Sequence, residues 1–153
     1  MIRIAVLATA LLGLAAPLPP GPAVDLPRGP AAPLPSLEAT ADSARSAWQR
    51  RDLAAFLAPA GSGRVVVTLP PSSQSAPISA EQARALLSTY VQGTQEVATA
   101  LRGARVVDSL QGYVELSRRY RMVGIPGERE SMILLGFRRG RSIWVLTEIR
   151  IAS

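Results

Sequence analysis

The last third of the chain alternates apolar and polar side chains and ends in Ile143-Trp144-Val145-Leu146-Thr147-Glu148-Ile149-Arg150-Ile151. Ile143, Val145, Ile149 and Ile151 share one face of an extended chain, and a strand with one apolar face needs cover on that side. Residues 113–123 and 130–138 read as strands too. Together they predict an antiparallel sheet, covered by the helical segments that precede it. The fold class expected is α+β: a strongly curved antiparallel sheet of four to six strands wrapped around about three N-terminal helices, a cone.

Those helices have clear starts. Ser36 caps a segment in which Leu37, Ala41, Ala44 and Trp48 form one stripe at helical spacing. Asp52 caps a short second helix, which Gly61 and Gly63 end. Residues 64–69 are β-branched and bounded by Gly63 and Pro70, so they read as a strand, with Pro77-Ile78 as a short return. Ser79 and Gln82 form a capping box opening a helix through Ala83, Leu86, Leu87, Tyr90 and Val91. Residues 94–101 fit either a helical extension or an irregular crossing. From Ala104 the period becomes two, giving strands at 105–110, 112–123, 132–138 and 143–151. Turns are expected at residues 124–127 and 139–141.

Three regions follow. Residues 1–23 read as an export signal: Arg3 supplies a positive start, residues 4–16 are uncharged and apolar, and Gly21-Pro22-Ala23 suits cleavage. The apolar run is shorter than the roughly 20 residues a spanning helix needs, so no stable membrane span is expected after cleavage. An uncleaved anchor is the alternative, and without Cys a lipoprotein anchor is excluded. Residues 24–35 form a Pro-rich linker. Residues 36–153 form the folded domain, expected to be bacterial and exported to the periplasm or beyond.

Composition closes several routes to chemistry. The 153 residues include no Cys, His, Lys or Asn, so all 17 basic residues are Arg, in keeping with a GC-rich codon bias. A Ser-His-Asp triad, a thiol nucleophile and the usual zinc ligands are absent, and neither a metal nor a cofactor is expected. The net charge is +6, and removal of residues 1–23 leaves sixteen Arg against eleven acids. Such a surplus steers anionic partners, with lipid head groups or acidic glycans the candidates for an exported chain. Nucleic acid is not expected, because no RNP-like motif accompanies the Arg residues. The Gly-containing loops at 61–64 and 136–140 lack the spacing of a phosphate-binding loop.

Three phrases, in this order and spacing, carry a resemblance: residues 48–53 (Trp-Gln-Arg-Arg-Asp-Leu), residues 81–90 of the third helix, and residues 144–151 of the closing strand. Over residues 36–153 the chain resembles the nuclear transport factor 2-like superfamily, a cystatin-like α+β cone, and within it the uncharacterised exported bacterial domains of this fold. The resemblance implies a pocket at the open end of the cone. It includes isomerases, dehydratases and epoxide hydrolases as well as members without a reaction, the enzymes placing a carboxylate, often with Tyr or His, deep inside. Without His, an Asp-His pair is impossible here. Asp108 and Glu115, with Tyr113 beside Glu115 on one strand face, are the candidate carboxylates should the protein be an enzyme.

Trp48, Phe56, Tyr90, Tyr113, Met122, Met132 and Trp144 are the candidate pocket-lining residues, against the competing reading that they fill a core. Arg119 and Arg121 share the Tyr113/Glu115 face, while Arg118 and Tyr120 point the other way. Glu115, Glu130 and Glu148 are expected as cross-strand counter-charges on a solvated face. That face is also the expected surface for a homodimer, a use this superfamily often makes of its sheet. The resulting expectation is an exported, non-catalytic binding or assembly module with no catalytic residue. The alternative is a cone binding a small apolar or anionic molecule, and the third reading is an isomerase-like enzyme using a strand carboxylate.

Overall fold

The computed structural model describes residues 35–71 and 75–153. The expected signal at 1–23 and nearly all of the linker at 24–35 lie outside the described residues. In chain order the elements are α1 (Leu37–Gln49), α2 (Leu53–Leu57) with a 3-10 turn at Ala58–Ala60, β1 (Arg64–Thr68), β2 (Pro77–Ser79) and α3 (Ala80–Val91). The long strands follow as β3 (Thr94–Val106), β4 (Gln111–Met122), β5 (Glu128–Arg139) and β6 (Trp144–Ala152). No helix among the described residues is long and apolar enough to cross a membrane.

The helix starts follow local chemistry. The Ser36 side chain accepts from the Ala39 amide, and Asp52 accepts from the Ala55 amide. At α3, Ser79 and Gln82 satisfy each other's backbone amides in a full capping box. Between α1 and α2 the backbone turns at Arg51, which has a φ of 58°. Its guanidinium donates to the Val91 carbonyl at 2.6 Å and the Thr94 carbonyl at 2.8 Å, tying this corner to the end of α3.

The strands form one open, mostly antiparallel sheet in the order β2-β1-β6-β5-β4-β3. Among the described strands only the β1–β6 pair is parallel, a pairing that alternation alone does not specify. The inner face buries Val114, Leu116, Ile133, Leu135, Phe137, Ile149 and Ile151 against Leu37, Ala41, Ala44 and Trp48 of α1, Phe56 and Leu57 of α2, and Leu87 of α3.

Two departures from the sequence reading share one cause. In β6, Gly136 pairs with Glu148 but the next residue, Phe137, pairs with Leu146, so Thr147 is an extra residue in a β-bulge. The bulge switches the phase: Trp144 and Leu146 face inward before it, Ile149 and Ile151 after it. The expected inward set of Ile143 and Val145 is therefore corrected; Ile143 sits exposed in the turn and Val145 lies on the outer face. In β3, register shifts at Val97 and Arg102 place Glu96, Thr99, Leu101 and Ala104 opposite inward residues of β4. That mixed spacing explains why residues 94–101 read as helix or irregular chain. They are strand, and the amide of Thr99 beside the first bulge donates to the Gln49 side chain of α1.

Candidate functional site

The inward alternation of β4 runs Val114, Leu116, Arg118, Tyr120, so an arginine stands where a fourth apolar residue would be expected. Its side chain is only 1% exposed. An isolated guanidinium in such surroundings would be very unfavourable, and the neighbouring strand supplies the compensation. Arg118 Nε donates to Glu96 Oε2 at 2.7 Å, and Nη2 donates to Thr94 Oγ1 at 2.9 Å. Thr94 Oγ1 in turn donates to the Val91 carbonyl at 2.8 Å, and Thr99 Oγ1 donates to Glu96 Oε1 at 2.8 Å. Both carboxylate oxygens of Glu96 are thus occupied.

Aromatic rings enclose this pair. The Arg118 Cζ atom lies 4.1 Å from the ring centre of Tyr120, 5.5 Å from Trp48 and 5.7 Å from Tyr90, within cation–π range of all three. Trp48 in turn meets Phe56 edge-on at 4.9 Å. Burial raises the ionisation of the Tyr90 phenol above its usual 10.0, a shift opposed by the nearby Arg118 charge. Among the described residues, three buried polar side-chain atoms have no protein partner: Trp48 Nε1, Arg118 Nη1 and Ser131 Oγ. Ser131 is the cross-strand neighbour of Arg118, so these orphans gather around one guanidinium.

The candidate lining residues are dispersed. Trp48 and Phe56 are buried at this centre, and Tyr90 is half-buried beside it. Trp144 is buried at the far end of the cone, its indole under Arg139 at 5.9 Å. Met122 lies at the rim next to the β4–β5 turn. Tyr113 and Met132 are on the outer sheet face, so they do not line the interior.

Of the candidate carboxylates, Asp108 is exposed in the β3–β4 turn, where Oδ1 accepts from the amides of Leu110 and Gln111 at 2.7 and 2.8 Å. The Glu115 side chain is 41% exposed on the outer face and meets Arg105 at 3.5 Å. Neither reaches the interior. The outer face also holds Arg119 and Arg121, both paired with Glu128, and Arg150 with Glu148. Glu128 thus takes the role expected of Glu130. Among the described residues no cluster of three or more Asp and Glu suits a metal ion.

Three helices packed on the inner face of one open six-stranded sheet, with a polar centre deep inside, make an α+β cone. This is the nuclear transport factor 2-like fold, and solved structures bear it out. A ketosteroid isomerase-like protein from Erwinia carotovora atroseptica aligns with a TM-score of 0.63 at 14% identity, over 75% of this chain and 91% of that one. A DUF4783 family protein from Bacteroides ovatus gives 0.59 at 10% identity, over 71% and 90%. An NTF-2 like protein of unknown function from Shewanella oneidensis gives 0.53 at 10% identity, over 73% and 92%. No protein-family profile and no curated protein matches the chain.

Proposed function

We propose that the protein is an exported, non-catalytic binding or assembly module that works through its surface. One observation carries this reading: the centre of the cone is occupied by its own side chains. Phe56, Leu87, Leu116 and Arg118 are at most 1% exposed. A side chain lining a space wide enough for water would keep accessible surface. Isomerase-type chemistry needs a carboxylate free to take a proton. Here Glu96 is engaged by Arg118 and Thr99, while Asp108 and Glu115 lie outside the interior.

Assembly has a suitable surface in the outer sheet face. At its centre Met132, which is 40% exposed, and the half-buried Leu134 of β5 lie beside Ser117 of β4, with Ala98 and Ala100 on the edge strand β3. Arg119, Arg121 and Glu128 form a polar rim. A second copy of the chain fits this pattern of apolar centre and charged edge.

A second reading, a cone for a small molecule, is favoured by the three unpartnered polar atoms around Arg118. Native mass spectrometry of the full chain tests both. The first reading expects a dimer without additional bound mass, converted to monomer by Met132→Arg. A stoichiometric organic mass, lost in Trp48→Ala, would replace it with the second.

A further inference from the structure

At one end of the sheet the β3–β4 and β5–β6 turns lie side by side. The Arg139 amide donates to the Leu110 carbonyl at 2.7 Å, linking them, while Gly140 donates to the Ile143 carbonyl at 2.8 Å and closes the second turn. Four large apolar side chains project there into solvent: Val106, Val107, Leu110 and Ile143, exposed by 55%, 59%, 61% and 49%. Turn tips usually carry small polar residues, so this concentration needs an explanation. Arg105, Arg138, Arg139 and Arg141, all exposed, stand around them. Of the acids nearby, Asp108 is engaged with turn amides, Glu115 pairs with Arg105, Glu148, which shares a groove with Arg138, pairs with Arg150, and Glu38 lies in the first turn of α1.

The chain also enters the domain here. Pro35 and Leu37 line one groove with Val106, Arg139 and Trp144. In sequence, the apolar run of residues 4–16 precedes this point, separated only by the Pro-rich segment. The opposite end has exposed Val123 and Ile125, but there Glu128 holds both Arg119 and Arg121 in ion pairs.

We propose that the paired turns 107–110 and 140–143 form a docking tip for an anionic phospholipid bilayer. Val107, Leu110 and Ile143 enter the head-group boundary, and the arginines meet the lipid phosphates. Apolar burial together with electrostatic attraction is the combination that holds proteins at such interfaces. The choice of lipid rests on the export reading, but the geometry of the tip does not.

Co-sedimentation of the full chain with vesicles of phosphatidylglycerol, and separately of phosphatidylcholine, tests the proposal. Binding is expected to the first lipid, with at least ten-fold less to the second, and to collapse as salt shortens the Debye length from about 10 Å to about 3 Å. Arg141→Glu, an exposed turn substitution that leaves folding intact, should weaken partitioning about 20-fold. Val107→Asp with Leu110→Asp should do at least as much, with thermal unfolding confirming the fold. Wild-type partitioning in both variants would assign binding to residues 4–16 and overturn the proposal. So would equal binding to both lipids, or a vesicle-free dimer dissociated by the same substitutions. Cell fractionation tests export separately, so its failure is distinguishable from failure of the tip.

Discussion

Arg118 and Glu96, paired at 2.7 Å, leave side chains only 1% and 5% exposed at the centre of the cone. Two strands must be in register, and β3 must carry its bulge at Val97, for this pair to form inside. Desolvating two charges is costly, so the pair contributes less to stability than its short distance suggests. Its effect is to occupy the place where a cavity would otherwise open.

Removing one partner is therefore more damaging than removing both. Arg118→Met strands the Glu96 carboxylate in an aromatic interior and should cost about 3–5 kcal/mol. The double variant Arg118→Met, Glu96→Leu should be more stable than either single one. Urea unfolding measures all three. A loss below about 1 kcal/mol in Arg118→Met would mean that the pair behaves like a solvent-exposed one.

Tyr90 gives the site a signature in alkali. Burial, the largest influence, raises its ionisation above 10.0, and the Arg118 charge partly offsets this. Because the folded value exceeds the unfolded one, the folded state holds its proton more firmly. The associated stability is fully present below pH 10 and declines as pH rises from there through the folded value. Ultraviolet titration should show a late phenol that is missing in Tyr90→Phe. Stability of that variant should fall less steeply over the same window.

The residues that make up the site were only partly legible in the sequence. Trp48 and Phe56 announce themselves through helical stripes and a capped short helix, and both reach the centre. Arg118 was hidden by its type, because arginine on a strand ordinarily faces water. Yet it stands on the Val114-Leu116-Tyr120 side, and that phase was readable. Glu96 was less accessible still. Its strand contains two bulges, so no regular alternation marks it as inward, and its partner lies 22 residues further on. Tyr113 and Met132 read as lining residues by size alone; strand parity puts them outside.

A close contact holds α1 against the sheet. A Cβ added at Gly112 would lie 2.6 Å from Leu37 Cδ2 and 3.4 Å from Trp144 Cζ3. Gly112→Ala should displace Leu37 and cost about 1–3 kcal/mol. Leu37→Ala removes the obstructing atoms, so the double variant should lose less than the sum of the two single losses. Additive losses in a double-mutant cycle would show that the helix accommodates the methyl group by shifting as a whole.

The Thr147 bulge separates two opposite readings of the closing strand. Strict alternation from Ile143 puts Val145 inside and Leu146 outside; the bulge reverses them, with Leu146 buried and Val145 on the outer face. Leu146→Ala should therefore cost about 2–5 kcal/mol through loss of packing against the core. Val145→Thr, on the outer face, should stay within about 1 kcal/mol of wild type. Thermal or urea unfolding distinguishes the two, and a larger loss for Val145→Thr would restore strict alternation. Deleting Thr147 sharpens the point. It would place Trp144, Leu146, Ile149 and Ile151 on one face of an unbroken strand, so a folded domain should persist while the bend contributed by the bulge is lost. An amide NMR spectrum that stays dispersed, with its largest shifts at Gly136, Phe137 and Glu148, is the expected result.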